Sequence, residues 1–183
     1  DGVLVDARQW HYEALNRALQ LFGYEISDAD HQTTFDGLPT RVKLEKLIEK
    51  RGLPRGLGAF IAELKQIYTL EIVRQSCRPT FSHEYALSRL KAEGYRIALA
   101  SNSIRETVDT MMSKTCLIGH LDLTLSNEDV TSAKPDPEIY RLAAERLGLS
   151  PAECMVVEDN HNGIKAALAA GAASITVHLR EDR

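Results

Sequence analysis

The chain has 183 residues with a net charge of -4 and 44% hydrophobic residues, enough to bury a real core in one domain or in a domain carrying an inserted partner. That mild acidity gives no electrostatic case for nucleic acid or an anionic membrane surface, and no apolar run approaches the length of a membrane span. Cys77, Cys116 and Cys154 are scattered without a disulfide or zinc spacing, so a reducing, cytoplasmic setting is the expectation.

The opening Asp1-Gly2-Val3-Leu4-Val5-Asp6 contains a turn at Gly2, and Asp6 is placed to cap a helix whose apolar positions Ala14, Leu15, Ala18, Leu19 and Phe22 recur at helical spacing until Gly23. Pro39 and Thr40 open a second helix, with Val42, Leu44, Leu47 and Ile48 as its inner face and Gly52 as its stop. A loop rich in Gly and Pro then leads to a long third helix bearing Phe60, Ile61, Leu64, Ile67, Tyr68 and Ile72, which ends near Pro79. Residues 7–78 therefore read as a helical module inserted into residues 1–6 and 79–183.

After Pro79 strands begin to alternate with helices. Ser82 is placed to cap a helix ending at Gly94, and the run Ile97 to Ala100 delivers Ser101-Asn102-Ser103 to a strand end. A helix from about Ile104 to Met112 follows, then a strand from Leu121 to Leu125. Lys134-Pro135-Asp136-Pro137 introduces a helix from Glu138 to Leu147, and Ser150 with Glu153 forms a capping box. The strand Cys154 to Val157, an acidic loop and the Ala-rich helix Ile164 to Ala170 come next, with a last strand from Ser174 to His178. Such alternation argues for a parallel sheet built from right-handed crossovers.

Four of these segments place polar groups at strand ends, the edge where ligands collect in open α/β sheets: Asp1, Ser101 with Asn102, the loop leading to Lys134, and Glu158 with Asp159. Taken singly, each has a plainer role, as a turn residue, a helix cap or a solvated lysine. Taken together, a hydroxyl, a lysine and several carboxylates suit a phosphate held beside magnesium. A phosphate oxygen about 4 Å from a carboxylate is opposed by roughly 4 kcal/mol at an effective dielectric of 20, so the anion needs cations beside it.

The segments Asp-Gly-Val-Leu-Val-Asp, Ala-Ser-Asn-Ser, Lys-Pro-Asp-Pro-Glu-Ile-Tyr and Val-Val-Glu-Asp-Asn with Gly-Ile-Lys-Ala-Ala occur in the order of the haloacid dehalogenase superfamily, and the chain resembles its β-phosphoglucomutase-like branch. The resemblance implies a Rossmann-like α/β core with a parallel sheet, an inserted helical cap, Mg2+, and phosphoryl transfer through a phosphorylated aspartate. Carried over, Asp1 resembles the general acid/base whose carbonyl also binds the metal, Ser101 the phosphate-binding hydroxyl with Asn102 beside it, and Lys134 the lysine that neutralises phosphate and nucleophile. Glu158 and Asp159 resemble the acidic pair at the metal. His11 and Arg41 correspond to substrate-facing groups of the cap.

The sequence opens at the second aspartate of the family's D-x-D motif, so the nucleophile and the first core strand that carries it are expected upstream of Asp1. Ala7 stands where the sugar mutase has a threonine, and Leu70 lies near the position of that enzyme's cap lysine. These departures favour a phosphatase of a small phosphorylated metabolite, a sugar phosphate, over a sugar phosphomutase. A phosphate-ligand binding module without chemistry is the alternative from another class. The sequence sets neither the substrate's identity nor the oligomeric state.

Overall fold

A computed structural model describes residues 2–35 and 38–176. The chain divides into two compact units, residues 7–76 and residues 1–6 with 77–183. No helix of the described residues is long and apolar enough to cross a membrane.

The described residues of the 7–76 unit form α1 (Arg8–Gln20), a short turn α2 (Asp28–Asp30) running into a π-helical stretch His31–Phe35, α3 (Thr40–Arg51) and α4 (Gly58–Ser76), with a 3-10 turn at Arg55–Leu57. Helix α1 lies along α4, and Leu15, Leu19, Ile26, Leu44, Leu47 and Ile61 form the centre of its core. Asn16 joins the loop after α1 to that core. Its amide donates to the Ile26 carbonyl at 2.8 Å and its side-chain oxygen accepts from the Ile26 N–H at 2.9 Å. Periodicity identified these helices and misjudged parts of their faces. Phe60 and Ile67 are 51% and 59% exposed, while Thr69, Leu70, Ile72 and Val73 are the buried residues of α4's second half. Val42 is also exposed, and Leu44 with Leu47 carries the inner face of α3. Helix α1 starts one residue later than a cap at Asp6 requires. Ala7 is its N-cap and has no side-chain acceptor to offer.

The other unit contains α5 (Phe81–Ala92), β1 (Ala98–Ala100), α6 (Arg105–Lys114), β2 (Leu123–Leu125), α7 (Glu138–Arg146), β3 (Met155–Glu158), α8 (His161–Ala170) and β4 (Ala173–Thr176). Strand β1 pairs in parallel with β2, Ala98 opposite Leu123, and β3 pairs in parallel with β4, Met155 opposite Ala173. All pairing is parallel, as the alternating pattern requires. Among the described residues, however, the strands form two pairs rather than one sheet. The expected additional strand concerns residues upstream of Asp1, and Val177 and His178 of the last predicted strand also lie outside the described residues. Leu125, Ile139, Ala143, Ala166, Ala167 and Ala170 pack the pairs onto α7 and α8.

Strand and helix ends moved for local reasons. Asp122 accepts from the Ile97 N–H at 2.8 Å, so the β1 ladder begins at Ala98. Helix α5 begins at Phe81 after Thr80, which puts Ser82 inside its first turn rather than at its cap. The capping box of Ser150 and Glu153 forms as expected, with Ser150 N and Oγ both donating to Glu153 Oε2 at 2.8 Å.

Replacing Asn16 by alanine leaves the buried Ile26 N–H without its acceptor, while Tyr12 still donates to the carbonyl at 3.0 Å. The expected loss is about 2 kcal/mol, read as a lower urea midpoint of the 7–76 unit with the single Trp10 as probe. An unchanged midpoint would contradict the role assigned to Asn16.

Candidate active site

The carboxylates of Glu158 and Asp159 sit where β3 gives way to α8, and the local sequence dictates their placement. Glu158 is the last residue of the strand, one position later than the apolar run implies, and is 4% exposed. Asn160 is the N-cap of α8, its Oδ1 accepting from Gly163 N at 3.0 Å, so the helix begins three residues before the predicted Ile164. Capping thus falls to Asn160, and Asp159 is left for other work. The Asn160 amide nitrogen lies 3.0 Å from Asp159 Oδ1 and 3.2 Å from Glu158 Oε2, tying the pair together. Gly171, at φ +90°, closes the helix.

Lys134 enters from the loop before α7 and is 8% exposed. Its Nζ donates to Glu158 Oε1 at 2.5 Å and to the Ala100 carbonyl at 3.0 Å, so one ammonium joins the C-terminal ends of β1 and β3. A second donor reaches the same Oε1, the hydroxyl of Tyr140 on α7. The Lys134 ammonium also lies 4.7 Å from the centre of the Tyr140 ring, within cation–π range. Burial, and then the Glu158 charge, push the Tyr140 phenol far up, so it serves as a donor throughout the working pH range.

Asn102 clasps the main chain of Lys134, accepting from its N–H at 3.1 Å and donating to its carbonyl at 3.4 Å. The side chain expected to meet substrate is thus engaged in holding the lysine. Ser101 is buried, its N–H continuing the β1–β2 ladder to the Leu125 carbonyl at 3.0 Å. Its Oγ accepts from Ser103 N at 3.1 Å, whereas Ile104 is the N-cap of α6, so Ser101 closes its own turn and does not cap the helix.

Two glycines are required by this arrangement. Gly2, at φ +83°, turns the opening segment against Asp159, and a Cβ there would overlap the Asp159 carboxylate. Gly163 leaves the space that the Glu158 carboxylate fills. Main chain of residue 2 therefore lies against the Asp159 carboxylate at a strand end, and a hard cation that keeps several waters takes one or two such carboxylates. The residues fit magnesium: Asp159 and Glu158 would hold it. Asp1, the third expected ligand, lies outside the described residues, and among the described residues no group of three or more His, Cys, Asp or Glu side chains is suited to a metal.

In the helical unit, His11 Nδ1 and Lys65 Nζ are 3.1 Å apart. Burial and the adjacent Lys65 charge hold the His11 imidazole well below its ordinary pKa, so it is neutral at pH 7. Burial, with the buried Lys43 ammonium nearby, lowers Lys65 to about 8. Leu70, near the expected position of a cap lysine, is instead core, and Lys65 is the lysine that the fold brings to His11. Arg41 is exposed on α3. Sequence reasoning gave no role to Tyr140, Lys65 or Lys43. Tyr140 closes the Lys-Pro-Asp-Pro-Glu-Ile-Tyr segment and carries a signal in its spacing from Lys134, whereas Lys43 and Lys65 carry no local signal.

The haloacid dehalogenase-like hydrolase family matches residues 1–177. The chain belongs to this family. A phosphorylated carbohydrates phosphatase of Thermotoga maritima is 29% identical over 187 residues, spanning 100% of this chain and 84% of that protein. The crystal structure of CbbY from Rhodobacter sphaeroides in complex with phosphate has a TM-score of 0.84 at 22% identity, covering 96% of this chain and 82% of that one. A β-phosphoglucomutase of Clostridium difficile gives 0.84 at 24% identity, covering 98% and 82%. The two structures share the fold. With the family match, the likeness gives this haloacid dehalogenase-like chain the fold of those proteins.

Two outcomes follow, one in each unit. Gly163→Ala would gain up to about 1 kcal/mol of helix propensity, but its methyl meets a carboxylate pinned by Lys134 and Tyr140, so a net loss of about 1–3 kcal/mol is expected in thermal unfolding. For Lys65, the folded pKa of about 8 lies below the unfolded value near 10.4, so the unfolded chain binds more protons between these limits. Stability of the helical unit should rise as pH goes from about 8 to about 10, and Lys65→Met should flatten that rise in urea titrations; an equal rise in the variant would refute the assignment.

Proposed function

We propose that the protein is a magnesium-dependent phosphatase of a small phosphorylated metabolite, a sugar phosphate, acting through a phosphoaspartate whose nucleophile lies upstream of Asp1. The observation that carries this reading is the buried Lys134 ammonium at the meeting of two strand ends, flanked by Ser101 and by the Glu158–Asp159 pair. A phosphate dianion brought to this edge meets carboxylates that repel it, and Lys134 is the cation of the chain that offsets them. Ser101, fixed by the β1–β2 ladder and its own turn, would donate its hydroxyl to a phosphate oxygen. Asn102 keeps the lysine loop in register with that hydroxyl.

Asp1 would protonate the leaving oxygen of the substrate as the phosphoryl group moves to the nucleophile. The same carboxylate, now basic, would then take a proton from the water that hydrolyses the acyl phosphate. Magnesium, when bound by Asp159 and Glu158, supplies charge neutralisation for the transferring group. In this reading the helical unit is the cap, with His11 and Arg41 as its substrate contacts and Lys65 beside His11. The protein works in the cytoplasm, with no nucleic acid or membrane partner.

A second reading is favoured by one observation. The His11–Lys65 pair restores the cap cation that a sugar phosphomutase needs to hold its second phosphate, a group that the position of Leu70 had made doubtful. Products distinguish the two activities. The polypeptide with its native upstream segment, given sugar phosphates and Mg2+, should release inorganic phosphate if it is a phosphatase, and an isomeric sugar phosphate if it is a mutase. Under either activity, Asp159→Asn should lower turnover by about two orders of magnitude and blunt its Mg2+ dependence. Full activity in that variant would sink the metal assignment, and no turnover of any phosphate ester by the wild type would leave only a binding module.

A further inference from the structure

The two oxygens of Glu158 have unequal surroundings. Oε1 accepts from the Lys134 ammonium and from the Tyr140 hydroxyl, whereas Oε2 accepts only the longer contact from Asn160 Nδ2 at 3.2 Å. A carboxylate oxygen has two lone-pair directions. Both of those on Oε1 are taken, and one on Oε2 is left. Lys134 is itself held by the Ala100 carbonyl, and Gly163 closes over the carboxylate, so the group has little freedom to turn.

We propose that Tyr140 is a positioning residue that makes Glu158 a one-oxygen ligand and thereby selects a small octahedral cation over calcium. The inference rests on the metal reading above and extends it to the choice of ion. Calcium takes six to eight oxygens and accepts carboxylates through both oxygens at once; magnesium requires a near-ideal octahedron and takes one oxygen from each carboxylate. With Oε1 doubly engaged, Glu158 can offer Oε2 alone. Removing the phenol oxygen returns a lone pair to Oε1, and the two-oxygen mode that suits calcium becomes accessible. The hydroxyl is separable from the ring. Phenylalanine keeps the buried aromatic volume among Ile139, Ala143 and Ala166 and keeps the ring beneath the Lys134 ammonium.

The test is metal binding without substrate. Mn2+ serves as the spectroscopic probe, its binding to wild type and Tyr140→Phe followed by electron paramagnetic resonance, with Mg2+ and Ca2+ as competitors. Wild type is expected to yield its Mn2+ to Mg2+ more readily than to Ca2+, and Tyr140→Phe is expected to shift that preference toward Ca2+ by about tenfold, within the range seen when outer partners of metal ligands are removed. A merely structural role for Tyr140 would lower the melting temperature and weaken both ions alike, and an unchanged Mg2+ to Ca2+ ratio overturns the proposal. A wild type that prefers Ca2+ overturns it without any variant, so the idea stands or falls even if Tyr140→Phe does not fold. Absence of Mn2+ binding to the wild type overturns the metal reading itself, a failure distinct from bound Mn2+ with an indifferent Tyr140.

Discussion

Two opposite charges taken out of water together, Lys134 and Glu158, are the constraint on which the rest of this unit depends. Desolvating each ion costs several kcal/mol, and the attraction between them offsets this only when the geometry is good and the remaining donors and acceptors are used. They are used here. The ammonium has a second partner in the Ala100 carbonyl, and the carboxylate has Tyr140 and Asn160. One pair thus joins the end of β1, the end of β3 and the start of α7. Losing either partner would strand a buried charge at a cost of about 3–5 kcal/mol, larger than any single apolar contact on the small alanine-rich face of α8.

That constraint explains which parts of the site could be read from sequence. Glu158 and Asp159 were legible because a short apolar run, an acidic pair and an alanine-rich helix follow one another without interruption, and strand ends of parallel sheets collect ligands. Lys134 was legible through the proline-flanked segment that starts α7. Tyr140 closes that segment, but its task is not legible there, because its hydroxyl acts across the fold on a residue 18 positions away. Lys65 was missed for the same kind of reason. It meets His11 across 54 residues, and only the packing of α1 along α4 brings them together.

The fold shows a parallel division. Helix and strand identities followed from period and punctuation, whereas faces and ends did not. Phe60 and Ile67 continued an apolar period on α4 yet lie outside the buried stripe, since a long helix in a unit of about seventy residues has neighbours on only part of its circumference. Ser82 and Asp6 are good capping residues placed one or two positions from where the backbone turns. Sequence preference says which residues can cap, and the tertiary chain path decides which one does.

Asn160 shows how one side chain can couple that local choice to the chemistry. Asparagine, aspartate and serine cap helices about equally well, so the start of α8 alone gives no reason to prefer the amide. The carboxylates beside it do. With its oxygen turned to Gly163 N, the amide still has two N–H donors, and its nitrogen lies within reach of both Glu158 and Asp159. An aspartate at this position would cap the helix but add a third negative charge with no donor to offer, opposing each neighbour by roughly 4 kcal/mol at about 4 Å and an effective dielectric of 20. A serine would cap without reaching both carboxylates through a rigid planar group. The amide is therefore the cap that holds two like charges side by side at the end of β3 while leaving Glu158 Oε2 room for a further partner.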